Sequence, residues 1–198
     1  MRRQNDRMTV SAADRATIQF DEDLLLAKRF LEGDQAAFAT LYDRYYERIY
    51  TLSKGILLDA DDAQDAVQET FTLIYKNLRR FNERSRLSTW IFRIAVNTAI
   101  QQSRKLKNKK RNVPLEDAEH AQTPPDPGAT ADQVKVASAM HSLSTADRAV
   151  LTLFYWEDVS INEVAQAIDC SPNAAKTRLF RARERFKAAY EALKGTHE

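Results

Sequence analysis

The sequence lacks several residue types that other classes of protein need. Its 198 residues include one cysteine, Cys170, which excludes an internal disulfide framework and a cysteine-rich zinc site. Four glycines and five prolines argue against an all-β fold with its many tight turns. No apolar run approaches the roughly 20 residues of a membrane-spanning helix, and no apolar stretch follows Arg2 and Arg3 to make a secretion signal. We therefore expect a soluble, cytoplasmic protein without membrane insertion.

Helical periodicity dominates the first half of the chain. Apolar residues recur every three or four positions in three stripes, from Phe38 to Ile56, from Ala63 to Leu78, and from Leu87 to Thr98. Amphipathic helices of this kind are stable only when they bury their stripes against one another. The pattern predicts one helical bundle over residues 21–105, preceded by a flexible tail over residues 1–20 that has no such pattern.

Composition changes abruptly after this bundle. Four of the five prolines lie within residues 106–133, where large apolar residues are few and five acids follow a basic run. Helical periodicity resumes at Val134, so residues 134–193 form a second domain and residues 194–198 a short tail. The sequence thus predicts an all-α protein: two small helical domains joined by a flexible linker, and mobile relative to one another.

The second domain contains the pattern of a helix-turn-helix. Ser160 and Glu163 form a capping box that begins a short helix, and Ser171-Pro172 begins a long one after a tight turn. The long helix is strongly basic, and its polar face suits a major groove, where Arg181 can pair with guanine. A basic, solvated surface helix is the alternative interpretation of the same segment.

Two charged clusters mark the first domain. Acidic residues from Asp59 to Glu69 crowd the start of the second stripe without a Lys or Arg among them, which suits a basic protein partner as well as the helix dipole. Basic residues from Lys76 to Arg93 interleave with Phe81, Trp90 and Phe92, as in proteins that bind unstacked, single-stranded bases. Burial of Trp90 and Phe92 in the core explains the same aromatics equally well.

These residues resemble a known family. The segments DDAQDAVQETF (61–71) and LSTWIFRIAVN (87–97), with Phe81 between them, closely resemble region 2 of extracytoplasmic-function (ECF, group 4) sigma factors. Residues 143–148 and 160–184 resemble region 4 of the same family, in the expected order and separation. The resemblance implies a factor that binds core RNA polymerase, recognises minus-35 and minus-10 promoter elements, and initiates transcription of a stress- or signal-responsive regulon under an anti-sigma factor.

The resemblance also assigns partners and residues. Core polymerase would be held through the clamp helices of its largest subunit and through its flap, and the acidic linker would thread the active cleft and the RNA exit path. The residues expected to bind polymerase are Asp62, Asp65, Gln68 and Glu69. The residues expected to bind and melt the minus-10 element are Phe81, Asn82, Arg84, Ser85, Trp90, Arg93 and Asn97. The residues expected to bind the minus-35 element are Asn173, Lys176, Thr177, Phe180, Arg181 and Arg183.

Some positions depart from the family pattern. Gln101 stands where many relatives have Asp, and Asn173-Ala174-Ala175 replaces a more usual Gly-Thr-Val. Promoter preference therefore cannot be transferred from a relative.

Other functional classes fit the sequence less well. A stand-alone helix-turn-helix regulator with an N-terminal sensing or interaction domain is the alternative function, although the acidic and cation–aromatic clusters disfavour it. An enzyme is disfavoured because His120, His141 and His197 are scattered without metal-ligand spacing, and no glycine loop could cradle a phosphate. We expect no cofactor, no metal, and a monomer when the protein is free of partners.

Overall fold

The computed structural model describes residues 12–111, 130–157 and 159–194. Within these ranges the chain forms eight α-helices, one 3₁₀ turn at Leu78–Arg80 and no strand. The helices are α1 (Ala12–Leu31), α2 (Gln35–Leu57), α3 (Ala60–Asn77), α4 (Leu87–Arg111), α5 (Ala131–His141), α6 (Thr145–Trp156), α7 (Ile161–Ala167) and α8 (Pro172–Lys194). The prediction of an all-α fold is confirmed.

Helices α1–α4 form the N-terminal domain, whose core consists of the three predicted apolar stripes. Leu41, Tyr45 and Ile49 of the first stripe are buried, whereas Tyr42 lies exposed at its edge. Local signals set the helix ends. The side chain of Asp34 caps α2 by accepting a hydrogen bond from the N–H of Ala36 at 3.0 Å, so a helix begins where the sequence offers an N-cap.

Helices α5–α8 form the C-terminal domain. Ser160 and Glu163 form the predicted capping box at the start of α7, and the hydroxyl of Ser171 accepts a hydrogen bond from Ala174 N–H at the start of α8. The turn between these helices passes through Asp169 with a left-handed φ of 55°, a conformation that Asp tolerates better than most residues. The predicted helix-turn-helix is therefore present.

Two predicted boundaries differ from the observed helices. Helix α1 begins at Ala12 and so includes much of the segment that we predicted as a tail. That segment lacks an apolar stripe, but Ala12, Ala13 and Ala16 are strong helix formers. Helix α4 continues through its basic run to Arg111, beyond residue 105, where we predicted that the first domain ends. Most of the predicted linker, residues 112–129, lies outside the described residues, as do residues 1–11 and 195–198.

The two domains pack directly against one another, with α6 on α2 and α7 on α4. The sequence predicted mobile domains and gave no indication of this contact. Arg148 of α6 is buried, and its Nε donates a hydrogen bond to the carbonyl of Ile56 in α2 at 2.6 Å. Arg48 of α2 reaches the buried carboxylate of Glu157 at 2.8 Å. The sequence does not predict the contact because apolar periodicity reports which residues are buried, and not which domain covers them.

Burial shifts the ionisation of two of these groups. Burial raises the pKa of Glu157, although the nearby Arg48 opposes the shift. Burial also lowers the pKa of Arg148, whose guanidinium bonds to carbonyl oxygens and to no carboxylate among the described residues. The ion pair between Glu157 and Arg48 therefore contributes less stability to the interface than its 2.8 Å separation would suggest. None of the described helices is long and apolar enough to cross a membrane.

Candidate nucleic-acid interface

An acidic surface runs along α3. Asp59 lies just outside the helix, where its side chain accepts hydrogen bonds from the N–H groups of Asp61 and Asp62 and so serves as the N-cap. Asp65 and Glu69 lie one turn apart on the exposed side, and neither makes an ion pair with any described residue. Carboxylates in this position can meet cations of a partner without first breaking an internal contact.

The four residues predicted to bind polymerase lie on this helix but differ in exposure. Asp65, Gln68 and Glu69 are exposed, whereas Asp62 is half-buried and its backbone carbonyl accepts a hydrogen bond from Gln102 at 2.8 Å. The inward side of α3 is filled by buried apolar residues, which holds the helix against α2 and α4. The exposed part of the surface is therefore supported by a rigid element.

A second surface lies where α4 begins, and a cavity of about 480 Å³ opens there between the two domains. Its wall includes five of the seven residues predicted for the minus-10 element. These are Asn82, Arg84, Ser85, Trp90 and Arg93. The opposite wall comes from the helix-turn-helix, through Gln166, Asp169 and Cys170. The cavity therefore belongs to both domains.

The remaining two predicted residues lie next to this cavity. The ring of Phe81 packs against Trp90 with centroids 5.6 Å apart, and both rings are half-buried. Asn97 lines a separate groove of about 320 Å³, which Trp90 also borders. Phe92, in contrast, is buried in the core beneath the Arg48 guanidinium, so the core interpretation holds for this aromatic.

Arg80 and Gln101 are among the polar residues outside the predicted set that also line these spaces. Arg80 lines both the cavity and the groove, and Gln101 lies in the groove with Asn97. The sequence carried a signal for each of them. Arg80 belongs to the basic run that precedes α4, and Gln101 follows Asn97 by four positions, which places the two on one face of a helix.

A third surface follows α8. Ala175, Leu179 and Ala182 are buried against the C-terminal domain, as the spacing predicts. A groove of about 450 Å³ runs along the outer face. The residues that line it are Asp147, Asn173, Ala174, Thr177, Arg178, Arg181 and Arg185. Three of these seven are arginines, so the groove is suited to a polyanion.

The minus-35 residues predicted from sequence do not all share this groove. Asn173, Thr177 and Arg181 line it, and Phe180 is exposed by 62% without lining it. Lys176 is exposed on the flank. The guanidinium of Arg183 lies over the rings of Phe154 and Tyr155 at 5.0 and 5.2 Å, away from the groove.

Two arginines of the groove were missing from the predicted set. Arg178 precedes Arg181 by three positions and Arg185 follows it by four, so helical spacing alone could have identified both. Arg185 also binds the buried carboxylate of Asp147 at 2.6 Å, which ties the outer face of α8 to the start of α6. No cluster of three or more His, Cys, Asp or Glu residues that could hold a metal occurs in the described ranges.

Comparisons with known proteins identify the family of the chain. The family model for sigma-70 region 2 matches residues 41–109, and the one for sigma-70 region 4 matches residues 133–186. RNA polymerase sigma-H factor of Pseudomonas aeruginosa is 32% identical over 185 residues, which cover 87% of this chain and 96% of the relative. ECF RNA polymerase sigma factor SigW of Bacillus subtilis is 34% identical over 176 residues, which cover 79% of this chain and 90% of the relative. The chain is an ECF sigma factor of the sigma-70 family.

As a sigma factor, the protein is a transcription initiation factor and not an enzyme. Helices α2–α4 carry its region 2, and α5–α8 carry its region 4. Two solved structures share the fold. One is CnrH in complex with the cytosolic domain of CnrY, with a TM-score of 0.66, 24% identity and coverage of 86% of this chain and 98% of that one. The other is sigma factor RpoE in complex with the anti-sigma factor NepR from Bartonella quintana. Its TM-score is 0.65 and its sequence identity is 22%, and the match covers 78% of this chain and 96% of that one.

Proposed function

We propose that this sigma factor binds core RNA polymerase through α3 and promoter DNA through two separate basic surfaces. The observation that carries the proposal is the segregation of charge. Exposed carboxylates of Asp65 and Glu69 occupy α3, whereas arginines line the cavity at the start of α4 and the groove along α8. DNA is repelled from the acidic surface and attracted to the other two, so polymerase and promoter can be held at the same time.

The minus-10 element is assigned to region 2. Asn97 and Gln101 border one groove and Arg84 and Arg93 the neighbouring cavity, with Trp90 between the two. An aromatic ring flanked by amides and guanidinium groups suits an unpaired base, since the ring can stack on it while the polar groups bind its edge and phosphates. Melting of the duplex would present such bases to this surface.

The minus-35 element is assigned to region 4. Thr177, Arg178, Arg181 and Arg185 line the groove of α8. We assign Thr177 and Arg181 to base edges in the major groove and Arg178 and Arg185 to the phosphates. Phosphate contacts set the position of the helix, and base contacts select the sequence.

The polymerase flap is assigned to an apolar groove of about 510 Å³ on the other flank of α8. Val136, Met140, Leu151, Tyr155 and Phe186 contribute its apolar wall. Arg183 borders this groove, which explains its separation from Arg181. Because the two grooves lie on different flanks of one helix, an apolar segment of polymerase can occupy one while DNA occupies the other.

Regulation by an anti-sigma factor is the remaining part of the proposal. It is supported by the shared fold with RpoE, which was solved bound to the anti-sigma factor NepR. The exposed α3 and the apolar groove beside α8 are the surfaces that an inhibitor must cover to exclude polymerase. The protein acts where the polymerase acts, in the cytoplasm.

Run-off transcription with purified core polymerase on a library of promoters tests this function. We expect transcripts that depend on the added chain and that share a minus-35 and a minus-10 sequence. Binding of the chain to duplex DNA without polymerase-dependent transcripts would instead identify a stand-alone helix-turn-helix regulator. Asp65→Lys with Glu69→Lys should abolish the transcripts while leaving the helix content measured by circular dichroism unchanged.

A further inference from the structure

The cavity between the two domains is basic. Three arginines and one acid line its volume of about 480 Å³, which leaves an excess of two positive charges. Arg80 and Arg84 are exposed and make no ion pair with any described residue. Arg93 lies 3.2 Å from the one acid, Asp169, whose side chain is largely exposed. Two guanidinium groups are therefore available to an anion that enters the cavity.

A buried hydroxyl on the same wall has no partner. Thr89 is 2% exposed and lines the cavity, and its Oγ1 makes no hydrogen bond with any described residue. Such a group costs free energy, because it has lost water without gaining another partner. Ser85 of region 2 and Gln166 of region 4 add polar groups to the lining. The cavity therefore offers hydrogen bonds to a polar ligand as well as positive charge.

An aromatic ring lies beside these charges. Trp90 lines the cavity and is half-buried, and its contact with Phe81, at a centroid distance of 5.6 Å, holds the ring in place. Any nucleobase can stack on such a ring, because every base has a π-face. A ring next to guanidinium groups thus matches the two halves of a nucleotide, which are a flat base and its phosphates.

Contacts outside the cavity hold its two walls together. Arg148 of α6 donates a hydrogen bond to the Ile56 carbonyl of α2 at 2.6 Å. A Cβ atom at Gly55 would lie 2.7 Å from Oγ1 of Thr152, so glycine lets α6 lie this close to α2. In this closed arrangement the cavity has its shape before any ligand arrives, which lowers the free-energy cost of binding.

The volume of the cavity selects the size of the ligand. Small-molecule sites in proteins enclose about 300–1,000 Å³, and this cavity falls within that range. A sphere of the same volume is about 10 Å across, narrower than the roughly 12 Å major groove alone, so duplex DNA cannot enter. A single nucleotide fits.

We propose that the cavity between the domains is a binding site for a nucleoside polyphosphate, with its base on Trp90, its phosphates on Arg80 and Arg84, and Gln166 on the facing wall. The inference goes beyond the promoter and polymerase surfaces, because it requires a small molecule and no DNA. A ligand that contacts both walls binds only the closed chain, so its concentration sets how strongly that arrangement is stabilised.

Isothermal titration calorimetry with the full chain tests the site. The four ribonucleoside triphosphates are titrated in turn, and pyrophosphate and the four nucleosides represent the two halves of the ligand. We expect at least one triphosphate to bind about tenfold more tightly than pyrophosphate, because stacking of the base adds to the phosphate contacts. The nucleosides should also bind at least about tenfold more weakly than that triphosphate, because they lack the contacts to guanidinium groups.

A charge-matched pair of variants locates the phosphates. Arg80→Ala with Arg84→Ala should weaken binding of that triphosphate about tenfold or more, since both free guanidinium groups are lost. Lys76→Ala with Arg79→Ala is the control, because both residues are exposed and neither lines the cavity. The control removes the same charge from the same stretch of chain and should bind like the parent. Circular dichroism checks that both variants fold.

Asp169→Asn tests the wall from region 4. The change removes the one acid of the cavity and leaves a residue that tolerates the left-handed φ of 55° at this position. We expect the triphosphate to bind about threefold more tightly, because its phosphates no longer face a carboxylate.

Three results would each overturn the proposal. If no triphosphate binds more tightly than pyrophosphate, the chain has no nucleotide site. If the control variant loses as much affinity as Arg80→Ala with Arg84→Ala, binding is a general attraction of anions to basic surfaces. If Asp169→Asn leaves the affinity unchanged or lower, the ligand does not lie between the domains. No DNA enters these experiments, so none of the three bears on the promoter assignments.

Discussion

Arg148 and Arg181 carry the same guanidinium group in opposite surroundings. Arg148 is buried, and burial lowers its pKa while its hydrogen bonds go to backbone carbonyls of both domains. Arg181 is exposed in the groove of α8 and makes no ion pair with another described residue. The first contributes to a fixed interface, whereas the second is available to a ligand. Position on the helix, and not residue type, separates the two roles.

Replacement of Arg181 should alter sequence preference. A bidentate contact to guanine is worth about 1–3 kcal/mol of discrimination, so Arg181→Ala should weaken binding mainly at the preferred minus-35 sequence. Lys176→Ala, on the flank, should weaken all sequences alike and reduce the salt slope by about one counterion. Binding to single-base promoter variants at several salt concentrations measures both effects. An unchanged preference profile for Arg181→Ala would remove it from the base-reading residues.

Glu157 predicts a pH dependence. Burial raises the pKa of this carboxyl in the folded chain above its unfolded value of 4.5, so the folded state holds the extra proton. Stability from this group is therefore present at low pH and lost as pH rises through the folded pKa. Glu157→Gln should raise the thermal midpoint at pH 8, by an amount that shrinks as pH falls towards 5. A lower midpoint at pH 8 would show that the ion pair with Arg48 outweighs the cost of burial.

At the scale of elements, sequence patterns identified helices well and their lengths less well. The capping box of Ser160 and Glu163 and the Ser171-Pro172 start placed α7 and α8, because caps act through neighbours in the chain. The start of α1 and the end of α4 were missed, because neither has an apolar stripe. The groove of α8 was predicted in part. Helical spacing in the sequence identifies the arginines of this groove. It does not predict that the Arg183 guanidinium lies over two aromatic rings of α6.

Charge reversal on α3 tests its role as a docking surface. Asp65→Lys with Glu69→Lys should weaken binding to core polymerase about tenfold or more, since attraction is replaced by repulsion between close charges. Both side chains are exposed, so the fold should persist. A pull-down with core polymerase measures the effect, and Glu32→Lys with Glu47→Lys provides a control of equal charge change. Equal loss in both variants would indicate a general charge effect without a docking surface.

At the scale of the whole molecule, the central feature is a closed arrangement of two domains that must act far apart. Composition alone favoured mobile domains, because the proline-rich segment between them offers few apolar anchors. The contacts that close the chain lie elsewhere, at Gly55, Arg148 and Thr152, each of which has an ordinary local explanation in the sequence. Contacts between residues nearly 100 positions apart leave no periodic signal, so only the folded chain reveals them.

The distance between the domains, measured in the free chain and on a promoter, tests this picture most directly. Fluorophores at Glu47→Cys and Ala188→Cys, both exposed, report it in a Cys170→Ser background. We expect one short distance in the free chain and a distance greater by on the order of 40 Å in the complex with core polymerase and promoter, since a compact chain is much shorter than the separation of the elements. The same distance in both states would contradict a sigma factor that is closed when free and extended when it initiates transcription.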